Sequence, residues 1–208
     1  MNEVRQISQV VELQENRAVT LTIPAGTHMT VFDDAMVMQA TVTLVVEADA
    51  TVVYKGSFVV AGGQVQRTVN MQCQGRGSAA TLEVSCYTKG AGHFSLTTQQ
   101  QHNASHSTSS ARILGVSDGG SRATVASTIF IAPHLFGVAA DQVHKHLLLD
   151  SGARAVSIPA LDILSDDVSC SHGSAITHLD ATQLFYLSAR GYDDQEARDA
   201  MVKAFLMP

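Results

Sequence analysis

A chain of 208 residues with 13 basic and 19 acidic side chains, a formal net charge of −6, carries no electrostatic footprint for nucleic acid or an anionic membrane surface. Hydrophobic residues make up 45% of it, aromatic ones only 5%, and tryptophan is absent, so a core must be built from Val, Leu, Ile and Ala. Three widely spaced cysteines, Cys73, Cys86 and Cys170, do not form a disulfide framework and are the reduced thiols expected of a cytoplasmic protein.

The length suffices to bury about 70% of the unfolded surface, so no staple is needed for folding. No stretch approaches 18 uninterrupted apolar residues, and the N-terminal MNEVRQISQVVELQENR has no basic region leading into an apolar run. Neither a membrane span nor a secretory signal is expected.

Residues 1–16 place Val4, Ile7, Val10, Val11 and Leu13 among polar residues, which fits a strand or a short helix. From Ala18 the pattern turns to period two: AVTLTI, HMTVF, TVTLVVE, TVVY, QVQRTVNMQ and ATLEVSCY. Such β-branched runs read as half-buried strands. Turn clusters separate them at Pro24-Ala-Gly26, Asp33-Asp34, Ala61-Gly-Gly63, Gly75-Arg-Gly77 and Lys89-Gly90. HFSLTT, ARILGV, ATVASTIFIA and HKHLLL extend the series, and a strand-like segment from Leu147 ends at Pro159. No helix is expected between Arg17 and Ile163, so the fold is mainly β.

Two architectures satisfy that pattern, an antiparallel sandwich or barrel and a parallel β-helix. Asp118-Gly119-Gly120 is the one close approach to a two-residue hairpin turn, which weighs mildly against hairpins. No strict short repeat is present, although an irregular β-helix needs none. Thr97 to Ser110, TTQQQHNASHSTSS, reads by composition alone as a linker.

After Ile163 the texture changes. Asp180 caps a helix expected over Ala181–Arg190, with Gly191 as its left-handed stop. Asp193 and Glu196 form a capping box for a second helix from Gln195 to about Leu206. Leu184, Phe185 and Leu187 on the first face Ala197, Met201, Ala204 and Phe205 on the second, so the pair forms a helical hairpin against the β body.

Few residues stand out chemically. Cys170 and His172 lie two apart on a probable strand, VSCSH, where i and i+2 share a face. A thiolate beside an imidazole suits iron or zinc, but two ligands do not close a site. A buried cysteine beside a half-exposed histidine explains the spacing as well. His144 and His146 have the same spacing beside Lys145, and a solvated strand face accounts for them. His102 and His106 fit hydrogen bonding between neighbouring rungs. Asp33-Asp34 and Asp166-Asp167 raise the question of paired carboxylates, yet adjacent residues on a strand point to opposite faces and cannot straddle one bond. Turns or solvated edges explain both pairs. No P-loop, dinucleotide fingerprint or nucleophile elbow is present.

SIPALDILSDDVSCSHG, LDATQLFYLSARG and EARDAMVKAF resemble the C-terminal signature of the SufB/SufD family, the scaffold proteins of Suf iron–sulfur cluster assembly. Pro-x-Leu-x-Ile, Asp-Asp-Val-x-Cys-Ser-His-Gly, Leu-Phe-Tyr-Leu and Arg-Gly occur in the family's order, and HKHLLLDSGARA and HNASHSTSS extend the match upstream to about His102. The resemblance implies a right-handed parallel β-helix core over residues 1–174 with a short C-terminal α-helical hairpin over 175–208. It moves the polar tract from linker to β-helix rungs. It further implies that the helices dock an ABC-type ATPase of the SufC type, and that the β-helix end dimerises with a second SufB/SufD-type subunit, as a homodimer or heterodimer.

Carried over residue by residue, His172 with Cys170 becomes a candidate site for iron or an iron–sulfur cluster at a dimer seam. Leu184, Phe185, Tyr186, Leu187, Arg190, Gly191, Met201 and Phe205 become the candidate ATPase-binding residues. Ala153 stands where the SufB branch carries a cysteine, and Gly173 where it carries a glutamate, so the local pattern is SufD-like. Where family members have a long N-terminal helical region, this chain starts almost directly in β-pattern, so a short form is expected, its first rung capped by residues 1–16 or by a partner. The function implied is a non-catalytic cytoplasmic scaffold. Its rivals are a structural β-solenoid without a metal role and a carbohydrate-active β-helix enzyme using Asp33, Asp166 or Asp167. The lack of tryptophan argues against sugar-stacking platforms.

Overall fold

The computed structural model describes residues 5–10, 17–34 and 37–206, with side chains from residue 18 onward. Thirteen strands occupy most of that chain: β1 (Arg5–Val10), β2 (Arg17–Ile23), β3 (Thr27–Asp33), β4 (Gln39–Val46), β5 (Thr51–Val60), β6 (Gln64–Cys73), β7 (Ala79–Thr88), β8 (His93–His102), β9 (Thr108–Ser117), β10 (Arg122–Ile131), β11 (Phe136–Leu148), β12 (Arg154–Ile163) and β13 (Asp167–His178). Odd-numbered strands stack in sequence order into one sheet and even-numbered strands into another. Every pairing is parallel. The chain therefore alternates between two sheets and winds as a β-solenoid, which decides between the two architectures the sequence left open.

The period-two pattern explains where the core sits. In β6 the residues alternate strictly, with Val65, Arg67, Val69, Met71 and Cys73 inside and their neighbours outside. In-register stacking repeats this from coil to coil, so Val42 lies over Val69 and Leu44 over Met71, all four buried. The corners must be thin where coils stack. A Cβ added to Gly75 would fall 2.0 Å from the Ala48 nitrogen, so only glycine fits there.

Coil length is not constant. Pairing partners are 22 residues apart at Arg5 and Thr27, 28 at Thr51 and Ala79, and 32 at Arg122 and Arg154. The solenoid widens toward its C-terminal end, and this drift hides the repeat from the sequence.

Two local expectations change, and the reading of the polar tract as β-helix rungs holds. Pro159 does not end a strand; it sits within β12 in register with Ser127. It is tolerated because β12 lies at a sheet edge, with β10 on one side only. The polar tract is not a linker: β8 runs through His102 and β9 starts at Thr108, with Thr98, Gln100, His102, Ser107 and Ser109 buried. Asp33 is not solvated either. It is buried with Arg67, whose Nε lies 3.2 Å from Asp33 Oδ2, and with Tyr54, whose hydroxyl donates to the same oxygen.

Two helices close the chain, α1 (Ala181–Ser188) and α2 (Asp194–Leu206). Asp180 accepts from the Thr182 N–H at 2.8 Å, and Gly191 takes φ +94° past the end of α1. In the expected capping box, the Glu196 N–H donates to Asp193 Oδ1 at 2.8 Å and the Asp193 N–H to Glu196 Oε2 at 3.0 Å. α1 ends two residues short of Arg190, and α2 begins one residue before Gln195. Val202 and Phe205 of α2 pack with Val116, Leu147 and Leu149, which fixes the helix on the outer face of the odd-strand sheet.

Candidate functional site

The solenoid has an open end. Strand β13 pairs only with β11, and β12 only with β10. Cys170, His172, Ser174 and Ile176 of β13 are in register with Ala140, Gln142, His144 and His146 of β11. They continue the inward-facing columns, but no further coil is described above them. His172 is therefore exposed, and Ile176 is 43% exposed. Cys170 is half-buried and packs against the cluster of Ile129, Ile131, Val138 and Ala140. Burial raises the pKa of its thiol, opposed by a hydrogen bond with the Ala140 backbone. Cys170 and His172 thus share one face, as their spacing predicts, and that face is the mouth of the solenoid.

Beneath the mouth the interior is polar. Thr98 Oγ1 donates to Ser127 Oγ at 2.8 Å, Ser127 Oγ donates to Gln142 Oε1, and Gln142 Nε2 donates to the Ala160 carbonyl at 3.2 Å. His102 holds Ser107 Oγ at 2.7 Å and Ser109 Oγ at 2.8 Å through its two ring nitrogens. His106 instead sits at a corner with φ +60° and its ring edge-on to Phe136.

His144 and His146 correct the sequence reading. They occupy the inward face of β11 and are buried, while Lys145 between them is exposed. His144 Nδ1 lies 2.8 Å from Ser157 Oγ. His144 Nε2 and both nitrogens of His146 have no hydrogen-bond partner. Burial lowers the pKa of His102, His144 and His146 to about 4 each, so all three are neutral at pH 7. The signal was present in the sequence: HKH alternates in phase with the inward residues of the same run, Val138, Ala140 and Gln142.

Among the described residues, no group of three or more His, Cys, Asp or Glu side chains stands close enough to hold a metal ion. Cys170 and His172 bring one thiol and one imidazole to the same face. Ala153 is fully buried, whereas a Cβ on Gly173 would meet nothing within 4 Å. Asp166 and Asp167 are both exposed, and neither stands near Asp33 in chain or sheet order.

The terminal helices present a second surface. Phe185 is 75% exposed and Tyr186 57%, with the Arg190 guanidinium over the Tyr186 ring. Tyr186, Leu187 and Met201 line a shallow cleft with Thr182 and Gln183. Leu184 is half-buried, and Phe205 is turned toward the solenoid. No helix among the described residues is long and apolar enough to cross a membrane.

The chain is 26% identical over 162 residues to the iron–sulfur cluster assembly protein SufD of Escherichia coli, covering 78% of this chain and 38% of that protein. Over 66 residues it is 44% identical to an iron–sulfur cluster assembly SufBD family protein of Synechocystis, covering 32% of this chain and 15% of that one. It is 47% identical over 66 residues to the chloroplastic protein ABCI7 of Arabidopsis thaliana, 32% of this chain and 14% of the relative. The chain spans well under half the length of these relatives. A family model described as the SufBD core domain of SUF system FeS cluster assembly matches residues 8–205. Nearly the whole chain is covered, and it belongs to the SufBD core family of iron–sulfur cluster assembly proteins.

Proposed function

We propose that the chain is a non-catalytic scaffold subunit of Suf iron–sulfur assembly, SufD-like in its local pattern, which handles iron or a nascent cluster as cargo at a seam between two subunits. The observation that carries this reading is the open last coil. Two sheet edges, the exposed imidazole of His172 and the thiol of Cys170 lie together there, with no coil above them among the described residues. Unpaired edges invite another chain, and a second SufB/SufD-type subunit seated on this end would add the donors that the set lacks.

The β-helix core, expected over 1–174, runs through β13 to His178, and the two helices that follow act as the coupling region. Phe185, Tyr186, Leu187 and Met201, with Leu184, Arg190, Gly191 and Phe205 shaping the hairpin, form the docking surface for an ABC-type ATPase such as SufC. Closure of the ATPase pair on nucleotide would shift these helices and open the seam, a population shift driven by differential contacts. The three free thiols fit a reducing compartment, the cytoplasm.

Anaerobic reconstitution with iron and sulfide tests the cargo site. His172→Ala should lower bound iron several-fold and Cys170→Ala less so. Unchanged iron in both variants would remove the site and leave a purely structural solenoid. Co-purification with the ATPase tests docking: Phe185→Asp with Tyr186→Asp should abolish it, and full retention would defeat the docking surface.

A further inference from the structure

The inward columns of the odd-strand sheet change character one coil inside the mouth. At the register positions of His144 the preceding coils carry Val84 and Ile113, and at those of His146 they carry Cys86 and Gly115. Among the described coils only β11, the last covered one, puts imidazoles there. Room has been made for one of them: a Cβ on Gly115 would fall 2.2 Å from His146 Nε2. Glycine on β9 thus yields its side-chain space to the ring stacked over it.

These rings are not satisfied by the fold. Three of their four nitrogens lack a partner, although both side chains are buried. A buried polar atom without a partner is costly, and an apolar pair like those of the coils below would avoid the cost. Ser157 engages only Nδ1 of His144. Either tautomer satisfies that pairing; with the hydroxyl accepting from Nδ1–H, Nε2 keeps its lone pair for a ligand, which is how a second contact orients a ligating histidine.

We propose that His144 and His146 form an inner receptor for one borderline transition-metal ion of the iron(II) class, reached from the mouth through His172. Two histidines at i and i+2 on a strand face the same way with their Cα atoms roughly 7 Å apart, and neutral imidazoles suit iron, cobalt and zinc. His172 lies on the neighbouring strand, two register positions away from His144. His172 stands exposed at the mouth, and the buried rings of His144 and His146 lie one coil below it. Since the pair supplies no negative charge, a divalent ion is held weakly unless it brings an anionic co-ligand. Weak holding suits a way-station from which cargo must leave. The inference rests on the cargo reading above but assigns a separate pair of residues to it.

Anaerobic titration of the full chain with Co²⁺, read by visible absorption, tests the pair. Wild type should take up one equivalent with nitrogen ligation. The double variant His144→Leu/His146→Leu should bind that equivalent at least tenfold more weakly, and His146→Asn, which keeps the size and polarity of the site, should do the same if the double variant folds poorly. His172→Ala should slow the loading of that equivalent. No cobalt uptake by wild type, or undiminished uptake by the double variant and by His146→Asn, would overturn the inner receptor; uptake lost only with His172→Ala would do so while sparing the seam. Loss in the inner variants, with His172→Ala affecting neither cobalt loading nor iron reconstitution, would uphold the pair and sink the seam reading.

Discussion

His102, His144 and His146 are each held neutral by burial, with folded-state pKa values of about 4 against about 6.5 in an unfolded chain. The unfolded state therefore binds more protons between those values, and stability must fall as pH drops through that window. Above pH 6.5 both states are neutral and the contribution is complete. We expect the urea midpoint to be flat from pH 8 to 7 and to fall from about 6.5 toward 4, each imidazole adding a slope of at most about 1.4 kcal/mol per pH unit. Carboxylates titrate at the lower end of that range, so the measurement is the difference between wild type and His144→Leu/His146→Leu. The variant should lose most of the slope, and parallel curves would show that these rings do not titrate on unfolding. Which histidines were internal was only partly legible. HKH sits in the phase of the strand, but a lone imidazole satisfies polar and apolar templates alike. Asp33 was misread for a related reason: a neighbouring Asp34 suggested a turn, and nothing local announces that Arg67, 34 residues away, comes to meet it inside the first full coils.

At the level of elements, strands were legible wherever inward positions were aliphatic, as in ATLEVSCY, which became β7. The pattern failed where the interior itself is polar. TTQQQH alternates perfectly in burial, but glutamine, threonine and histidine at inward positions erase the hydropathy contrast on which period-two reading depends. The helices were the clearest elements because their ends are written in side-chain chemistry. Asp193 satisfies the Glu196 N–H, and the Glu196 carboxylate returns to the Asp193 N–H. Asp193→Ala should therefore cost about 1 kcal/mol and loosen the start of α2. Its far end is pinned by Val202 and Phe205 on the sheet, so hydrogen exchange should rise in residues 194–198 and change little at 202–206. Uniform exchange across α2 would mean the helix docks as one rigid unit and the box is incidental.

For the whole molecule, the decisive property is that coils of unequal length stack in register and then stop. Interior side chains of a stopped solenoid become surface, and the last coil shows this: Leu161 is 38% and Ile176 43% exposed, although their partners one coil below, Ile129 and His146, are buried. Apolar residues at an unpaired edge favour pairing with another chain, and charge at such an edge is the usual deterrent. Leu161→Lys with Ile176→Lys places two ammonium groups on the rim, because both side chains already meet solvent at the open end. Wild type should associate with rising concentration, and the double variant should scatter light at the 22.1 kDa mass of a single chain over the same range with an unchanged thermal midpoint. Association that survives both lysines would place the interface elsewhere, on the outer sheet faces or the terminal helices, and His172 would then look onto solvent instead of a second subunit.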